Sequence, residues 1–277
     1  MNKILAVIRG GGDLATGVAV RLFRAGFKII ILEIEKPTVI RLPVSFARSV
    51  YENKVEIEDI EAVLVSSGEE AEDITNQRKI AVLIDPKGYY INKLHPTVLV
   101  DAILAKRNLG TRKGQAPLVL GLGPGFTVGK DVDVVVETKR GHYLGRVIYK
   151  GKAESDSGIP GEIKGESVRR LLRAPAEGNI ISLHKIGDLV KSGEVIAKIA
   201  GVPLKAEISG ALRGLIYPKI WVSEGMKVGD IDPRGIRDYC FTVSDKARSI
   251  GGAVLEAICT YLSKINYWKV NQRRKLK

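Results

Sequence analysis

The stretch Arg9-Gly10-Gly11-Gly12-Asp13-Leu14-Ala15-Thr16-Gly17 decides how the chain begins to fold. It follows an apolar run from Ile4 to Ile8 and leads into a helical pattern that starts at Leu14. Glycines between a strand and a helix let the backbone turn tightly, and the first free amides of the helix point at any anion bound there. The sequence therefore predicts a phosphate or nucleotide site whose residues are Gly10, Gly11, Gly12, Asp13, Leu14 and Ala15.

A second apolar run, from Lys28 to Ile34, completes a strand-helix-strand unit and is followed by acidic residues. In a dinucleotide site, a carboxylate about 20 residues after the glycine loop binds ribose hydroxyls. Glu33 is the first candidate, and Glu35 competes with it. The alternative is a carboxylate that only ends the strand in solvent.

Further apolar runs alternate with helical patterns, which predicts a mostly parallel sheet in a Rossmann-like domain over residues 1–160. Ligands of such sheets lie outside the carboxyl ends of the strands. Asp85 and the loop from Gly123 to Gly125 each follow a predicted strand, so they join the predicted site. Residues 97–108 are predicted to form a helix packed on the sheet.

Residues 161–235 are predicted to form a small all-β domain, because glycines interrupt them regularly and two segments repeat at a spacing of about 32 residues. This repeat resembles the biotinyl/lipoyl domain, a barrel-sandwich hybrid. The expected hairpin, Ala200 to Pro203, carries no lysine, so we expect no attached biotin or lipoyl group.

Residues 236–277 are predicted to form a helix that returns to the first domain, followed by a basic tail. Lys246 and Arg248 lie at the start of this helix and form a second candidate anion site. Cys240 is a weak candidate nucleophile, because these neighbouring cations could lower its pKa. A buried, inert cysteine is the alternative.

Composition narrows the function classes further. The formal net charge is +13, but the basic residues lack the aromatic interleaving of RNA-binding modules, so an anionic small ligand is favoured over nucleic acid. The sequence contains no run of about 18 apolar residues, so no membrane span is predicted. The two cysteines, with no histidine nearby, predict neither a metal site nor a disulfide and suit a cytoplasmic protein.

Six longer strings together resemble a known family: GGGDLATG (10–17), KPTVIR (36–41), DAILAKRNLGT (101–111), LGLGPGFTVGKDVDVVVETKRGHYLGRVI (120–148), GDIDPRG (229–235) and SDKARSIGGAVLEAI (244–258). They are similar to the YqeB-like accessory proteins of the selenium-dependent molybdenum hydroxylase system. The resemblance implies a maturation factor that binds or delivers a molybdopterin-type cofactor or a nucleotide. Its implied partners are a molybdenum hydroxylase client or other maturation factors, near those of xanthine dehydrogenase.

A second hypothesis belongs to another class: an NAD(P)-dependent oxidoreductase that uses Gly10 to Ala15 and Glu33. The sequence shows no proton donor or substrate constellation to support it. A plain carrier module is the third alternative, and the missing hairpin lysine argues against it.

Overall fold

The computed structural model describes residues 4–156, 158, 161–218 and 220–265. The predicted basic tail beyond Lys264 lies outside these residues. The first part of the chain contains a nine-stranded sheet formed by β1 (Leu5–Arg9), β2 (Lys28–Glu33), β3 (Lys54–Ile57), β4 (Ile60–Val65), β5 (Ile80–Ile84), β6 (Val98–Asp101), β7 (Leu118–Leu122), β8 (Val134–Val136) and β9 (Val147–Ile148). The helices are α1 (Asp13–Arg24), α2 (Ser49–Glu52), α3 (Gly68–Asn76), α4 (Tyr89–Leu94) and, at the far end of the chain, α5 (Asp245–Lys264).

The strand order in this sheet is β3-β4-β5-β2-β1-β6-β7-β8-β9. Its interior pairs are parallel, whereas the edge pairs β3-β4 and β8-β9 are antiparallel. The central strands are continuous apolar runs because they are buried on both faces. Polar groups that follow these strands therefore collect at one edge of the sheet.

Helices α1 and α5 pack against each other on one face of the sheet. A Cβ atom added at Gly17 of α1 would lie 2.6 Å from the Cβ of Ala247 in α5. A Cβ added at Gly251 would lie 2.6 Å from the carbonyl oxygen of Gly17. Ile250, Val254 and neighbouring apolar residues of α5 are buried in this contact, as their spacing predicts. The C-terminal helix therefore lies against the helix that follows the glycine loop.

The second part of the chain is built from two four-stranded antiparallel sheets with the orders β10-β17-β15-β12 and β14-β13-β11-β16. Their strands are β10 (Leu171–Arg173), β11 (Gly178–Ser182), β12 (Leu189–Val190), β13 (Val195–Ile199), β14 (Val202–Lys205), β15 (Gly210–Leu215), β16 (Trp221–Val222) and β17 (Lys227–Asp232). The apolar side chains of both sheets share one core.

The predicted fold class, a Rossmann-like domain followed by a biotinyl/lipoyl-like domain, is wrong. The large sheet is mixed, with antiparallel strands at both edges. The connections β6 to β7 and β7 to β8, described in full over residues 102–117 and 123–133, contain no helix. Instead, α5 arrives from the end of the chain to cover the sheet. The second part is two antiparallel sheets joined in one core.

One helix prediction was also wrong. Residues 97–108 contain strand β6 in the middle of the sheet and then an irregular loop. The run Val98-Leu99-Val100 is buried on every side, and such a short apolar run does not distinguish a helix from a central strand. None of the helices in the described part of the chain combines the length and apolar character needed to cross a bilayer.

Candidate functional site

A cleft of about 1190 Å³ lies where the predicted sheet edge, the start of α5 and strands of the second part come together. Residues of the glycine loop and β2 contribute to its lining, as do Lys246 of α5 and Lys227 of β17. The cleft therefore draws on segments that are distant in sequence. Of the residues singled out from the sequence, it is lined by Gly10, Gly12, Asp13, Leu14, Ala15, Glu33, Asp85 and Lys246.

Three backbone amides of the glycine loop, those of Gly10, Gly11 and Leu14, are used within the protein. The Gly10 amide donates to the carbonyl oxygen of Leu32 at 2.8 Å, and the Gly11 amide donates to Oε2 of Glu33 at 2.7 Å. The amide of Leu14 donates to the side chain of its own neighbour, Asp13, at 2.9 Å. A predicted phosphate site needs several of these donors free. This loop is instead tied to β2 and to its own aspartate.

Glu33 therefore has a structural role at this edge. Its other oxygen accepts from the amide of Ile34 at 2.8 Å, so both oxygens bind backbone. Burial raises the pKa of Glu33, and the two amide hydrogen bonds oppose the rise. Tyr51 stacks on Tyr217, and burial, with the charge of Glu33 adding to it, raises the pKa of Tyr51 to about 12. The Glu33 carboxylate therefore stabilises the loop through two backbone hydrogen bonds. It would have to break them to bind a ribose.

The other predicted site residues at the sheet edge also have local partners. Both oxygens of Asp85 accept backbone amides at the start of α4, from Tyr89 at 3.0 Å and Tyr90 at 2.8 Å. Gly123 and Gly125 do not line the cleft, and both have a positive φ. A Cβ at either would collide with a neighbouring segment, at 2.4 Å from Oγ1 of Thr138 for Gly123. These glycines are required for close packing.

The strongest feature of the cleft is a pair of buried arginines that the sequence analysis missed. Arg41 is 7% exposed and Arg213 is 8% exposed, and both line the cleft. Burial lowers the pKa of Arg213, and the charge of Arg41 lowers it further, so the two guanidinium groups lie close enough to repel. The Nε atom of each is buried without a hydrogen-bond partner among the described residues.

Carboxylates only partly balance this pair. Nη1 of Arg41 lies 3.4 Å from Oδ2 of Asp13. Nη1 of Arg213 lies 3.3 Å from Oδ2 of Asp232, but that carboxylate also accepts two hydrogen bonds from the side chain of Arg234. The walls of the cleft therefore carry an excess of positive charge around Asp13.

Two further cations of β10–β17 extend this cluster. Arg170 lies 2.5 Å from Asp230, and its Nε is likewise buried and unpartnered. Lys227 forms no ion pair with a described residue, and burial lowers its pKa. None of these residues lies in a sequence motif of its own. The only sequence signal for Arg41 was its place at the end of the string KPTVIR.

The two residues of the second predicted anion site, Lys246 and Arg248, have different surroundings in the structure. Lys246 lines the cleft, whereas Arg248 points elsewhere and bonds Oε1 of Glu58 at 2.6 Å. Cys240 is fully buried, and burial raises the pKa of its thiol despite nearby Arg213 and Arg41. The predicted reactive thiolate is therefore not favoured, because the thiol is desolvated in its native surroundings. No group of three or more His, Cys, Asp or Glu in the described chain is arranged to hold a metal ion.

Comparison with known proteins gives the relatives of this chain. No family model matches it. It is 52% identical over 254 residues, or 92% of its length, to the uncharacterised protein YqeB of Escherichia coli strain K12. The chain is a YqeB-like protein. It spans about half the length of that relative, 47% of it.

Solved structures give only weak likenesses to the YqeB-like chain. A succinylglutamate desuccinylase/aspartoacylase from Rhodobacter sphaeroides is 16% identical, with 53% of this chain and 64% of that chain covered and a TM-score of 0.23. The product-bound ectoine utilisation protein EutE (DoeB) from Ruegeria pomeroyi is 10% identical, with 82% and 85% covered and a TM-score of 0.27. At these TM-scores, no activity carries over to the YqeB-like chain.

The functional predictions from sequence need correction. The predictions of a molybdenum hydroxylase maturation factor, of a bound molybdopterin or nucleotide and of an NAD(P)-dependent oxidoreductase are wrong. The name of the curated relative assigns none of these activities. In the structure, Leu32 and Glu33 accept the amides of Gly10 and Gly11, two of the donors that the sequence predicted for an anion.

Proposed function

We propose that the cleft of the YqeB-like chain binds a small anionic organic molecule. One observation carries this proposal: Arg41 and Arg213, both more than nine-tenths buried, line the wall of the same open cleft. Burying two like charges is costly unless a counter-charge neutralises them. Asp13 and Asp232 supply part of that charge, and a bound anion supplies the rest.

The hydrogen bonds of these arginines support the same proposal. Nη2 of Arg41 donates to the carbonyl oxygens of Tyr239 at 3.1 Å and Thr242 at 3.3 Å, which fixes the guanidinium plane. The unpartnered Nε donors of Arg41, Arg170 and Arg213 would each cost about 1–3 kcal/mol if left unsatisfied. A guanidinium that is fixed in place and short of acceptors is suited to a carboxylate or phosphate group.

The size of the cleft suits an organic molecule better than a single inorganic ion. Pockets for small ligands have volumes of about 300–1000 Å³, and this cleft, at about 1190 Å³, is somewhat larger than that range. Part of its wall is apolar, including Val39, Ile103 and Leu104. The two free cysteines are consistent with the cytoplasmic location that we propose for the protein.

Thermal unfolding tests this proposal with citrate, 2-oxoglutarate and inorganic phosphate as probes at constant ionic strength. A ligand that binds only the folded state raises Tm in a saturable way. We expect at least one organic anion to do so, with an apparent Kd at least 10-fold weaker in Arg41→Met and in Arg213→Met.

Arg112→Met is the control, because Arg112 is exposed and does not line the cleft. Lys227→Met keeps the test valid if either arginine variant fails to fold, since it removes a more exposed cation of the same cleft. No saturable effect of any probe, or equal weakening in Arg112→Met, would overturn the proposal.

A further inference from the structure

Two amines in the cleft, those of Lys246 and Lys227, form no ion pair with a described residue, and Lys246 is the less exposed of the two. Lys246 is the second residue of α5 and is half-buried, and it forms no ion pair or hydrogen bond through its side chain with any described residue. Other lysines near the cleft are paired: Lys106 lies 2.5 Å from Asp156, and Lys139 lies 2.6 Å from Glu154. Lys246 is thus available to a ligand.

The charged groups that face Lys246 come from several segments. Burial lowers its pKa, Asp13 of α1 opposes that effect, and Arg140 lowers the pKa further, while Glu137 and Asp156 act in the same direction as Asp13. The positive N-terminal end of the 20-residue helix α5 also disfavours an ammonium group at this position. A larger fraction of Lys246 is therefore neutral, and hence nucleophilic, than of a lysine in water.

A carboxylate that is partly open to the solvent lies in the same cleft. The side chain of Asp13 is 33% exposed and is held by Arg41 at 3.4 Å. Its Oδ1 accepts the amide of Leu14, which fixes its orientation at the start of α1. Asp13 therefore combines a fixed position with access to water, as proton transfer requires.

We infer that Lys246 forms an imine with the carbonyl group of an anionic oxo compound, such as a 2-oxo acid. This inference rests on the proposed anion-binding function, since Arg41 and Arg213 would hold the anionic group. The Nζ lone pair adds to the carbonyl carbon, and the nitrogen loses a proton as the oxygen gains one. The resulting carbinolamine then loses its hydroxyl group as water while the C=N bond forms.

The step is a condensation without oxidation or reduction, and one water molecule is its only by-product. Asp13 passes both protons from nitrogen to oxygen in turn: the first completes the hydroxyl group of the carbinolamine, and the second leaves with that hydroxyl group as water. Lys227 lies in the same cleft, and its side chain is more exposed to solvent than that of Lys246. Water hydrolyses an imine, so the half-buried Lys246 is the better site and Lys227 serves as an internal comparison.

Trapping with cyanoborohydride tests the inference on the whole 277-residue chain. Pyruvate, glyoxylate or 2-oxoglutarate is added with sodium cyanoborohydride, and the modified lysine is identified by peptide mass spectrometry. We expect one dominant secondary amine at Lys246, at least 10-fold above any other lysine. It should disappear in Lys246→Arg, persist in Lys227→Arg and form at least 10-fold more slowly in Asp13→Asn.

The outcomes separate this inference from the proposed function. If the organic anions raise Tm but no adduct forms, or the adduct is spread over surface lysines, the imine is excluded and anion binding stands. If Lys246→Arg traps as much adduct as the unmodified sequence, the assignment to Lys246 is overturned. If neither stabilisation nor trapping is seen, both proposals fail.

Discussion

The backbone amide of Gly11 lies 2.7 Å from Oε2 of Glu33, so this carboxylate occupies the position from which an anion would meet the loop. Its second oxygen accepts the amide of Ile34 at 2.8 Å. The acid at the end of β2 thus binds the glycine loop from within the protein. The buried cations of the cleft are left as the main source of positive charge for a ligand.

Replacement of Glu33 should reveal this structural role. In Glu33→Gln, the side-chain NH2 group must face one of the two amide donors, which costs about 1–3 kcal/mol of unfolding free energy. Since burial raises the folded-state pKa of Glu33, its favourable contribution is complete below the ordinary value of 4.5 and is lost as pH rises through the raised pKa.

Urea unfolding from pH 4 to pH 8 measures this effect. The deficit of Glu33→Gln should be greatest at the acid end and shrink as pH rises. Glu35→Gln is the matched control, because Glu35 is exposed, and it should stay within about 0.5 kcal/mol of the unmodified sequence. A deficit that grows with pH contradicts the argument.

The contact between α1 and α5 depends on the absence of a side chain at Gly17. In Gly17→Ala the new methyl group would lie 2.6 Å from the carbonyl oxygen of Ala247, so the helices must separate. We expect a loss of about 1–3 kcal/mol, measured by chemical denaturation.

Gly252 in the same helix pair gives the opposite expectation. A Cβ there meets nothing within 4 Å, so Gly252→Ala should stabilise the protein by about 0.5–1 kcal/mol through helix propensity. Equal effects of the two substitutions would show that α1 and α5 are not in close contact.

Asp232 should be essential to the buried arginine cluster. Burial by itself would raise its pKa, but hydrogen bonds from Arg234 and the charge of Arg213 hold the pKa below 3.8. Removal of the charge in Asp232→Asn leaves Arg213 buried without its carboxylate, which costs about 3–5 kcal/mol at neutral pH.

The pH dependence of that loss has a definite sign. A lowered folded-state pKa gives stability that is present above 3.8 and lost as pH falls through the folded value. The deficit of Asp232→Asn should therefore shrink in acid. Asp238→Asn, at an exposed position nearby, should be nearly neutral at every pH, and a comparable deficit there would count against the buried pair.

The two cysteines should differ in reactivity. Cys240 is fully buried with a raised pKa, whereas Cys259 is half-exposed, although burial raises its pKa too. With Ellman's reagent at pH 8, native protein should react at Cys259 and leave Cys240 unmodified until denaturant is added. Rapid modification of Cys240 in the native protein, located by mass spectrometry, would restore its candidacy as a nucleophile.

Local features were predictable from the sequence because their causes are local. The apolar runs at β1, β2 and β5 and the amphipathic spacing of α5 follow from which faces must be buried. Ser244 accepts the amide of Ala247, as expected of a residue that caps a helix. The same reasoning wrongly predicted a helix for Thr97 to Asn108. A central strand that is buried on both faces lacks the alternation of apolar and polar residues by which a strand is recognised.

The site depended on contacts that no local pattern encodes. Glu33 and the glycine loop were correctly placed at one sheet edge, but whether the carboxylate faces a ligand or the Gly11 amide is a question of side-chain direction. Arg41 and Arg213 are 172 positions apart, and each lies in an unremarkable segment. Such charges indicate an anion site only when the fold buries them in the same cleft, since the cost of desolvation arises in the folded state.

The sequence by itself determined that a strand runs into a glycine loop and a helix, and that an apolar helix ends the described chain. Only the tertiary structure decided that α5 packs on α1, that the amides of Gly10 and Gly11 are already bonded, and that Lys246 and the buried arginines share one cleft. The physical reason is the separation along the chain over which each effect acts. Hydrophobic periodicity and capping act over a few residues, whereas burial and charge repulsion act between segments that only the fold brings together.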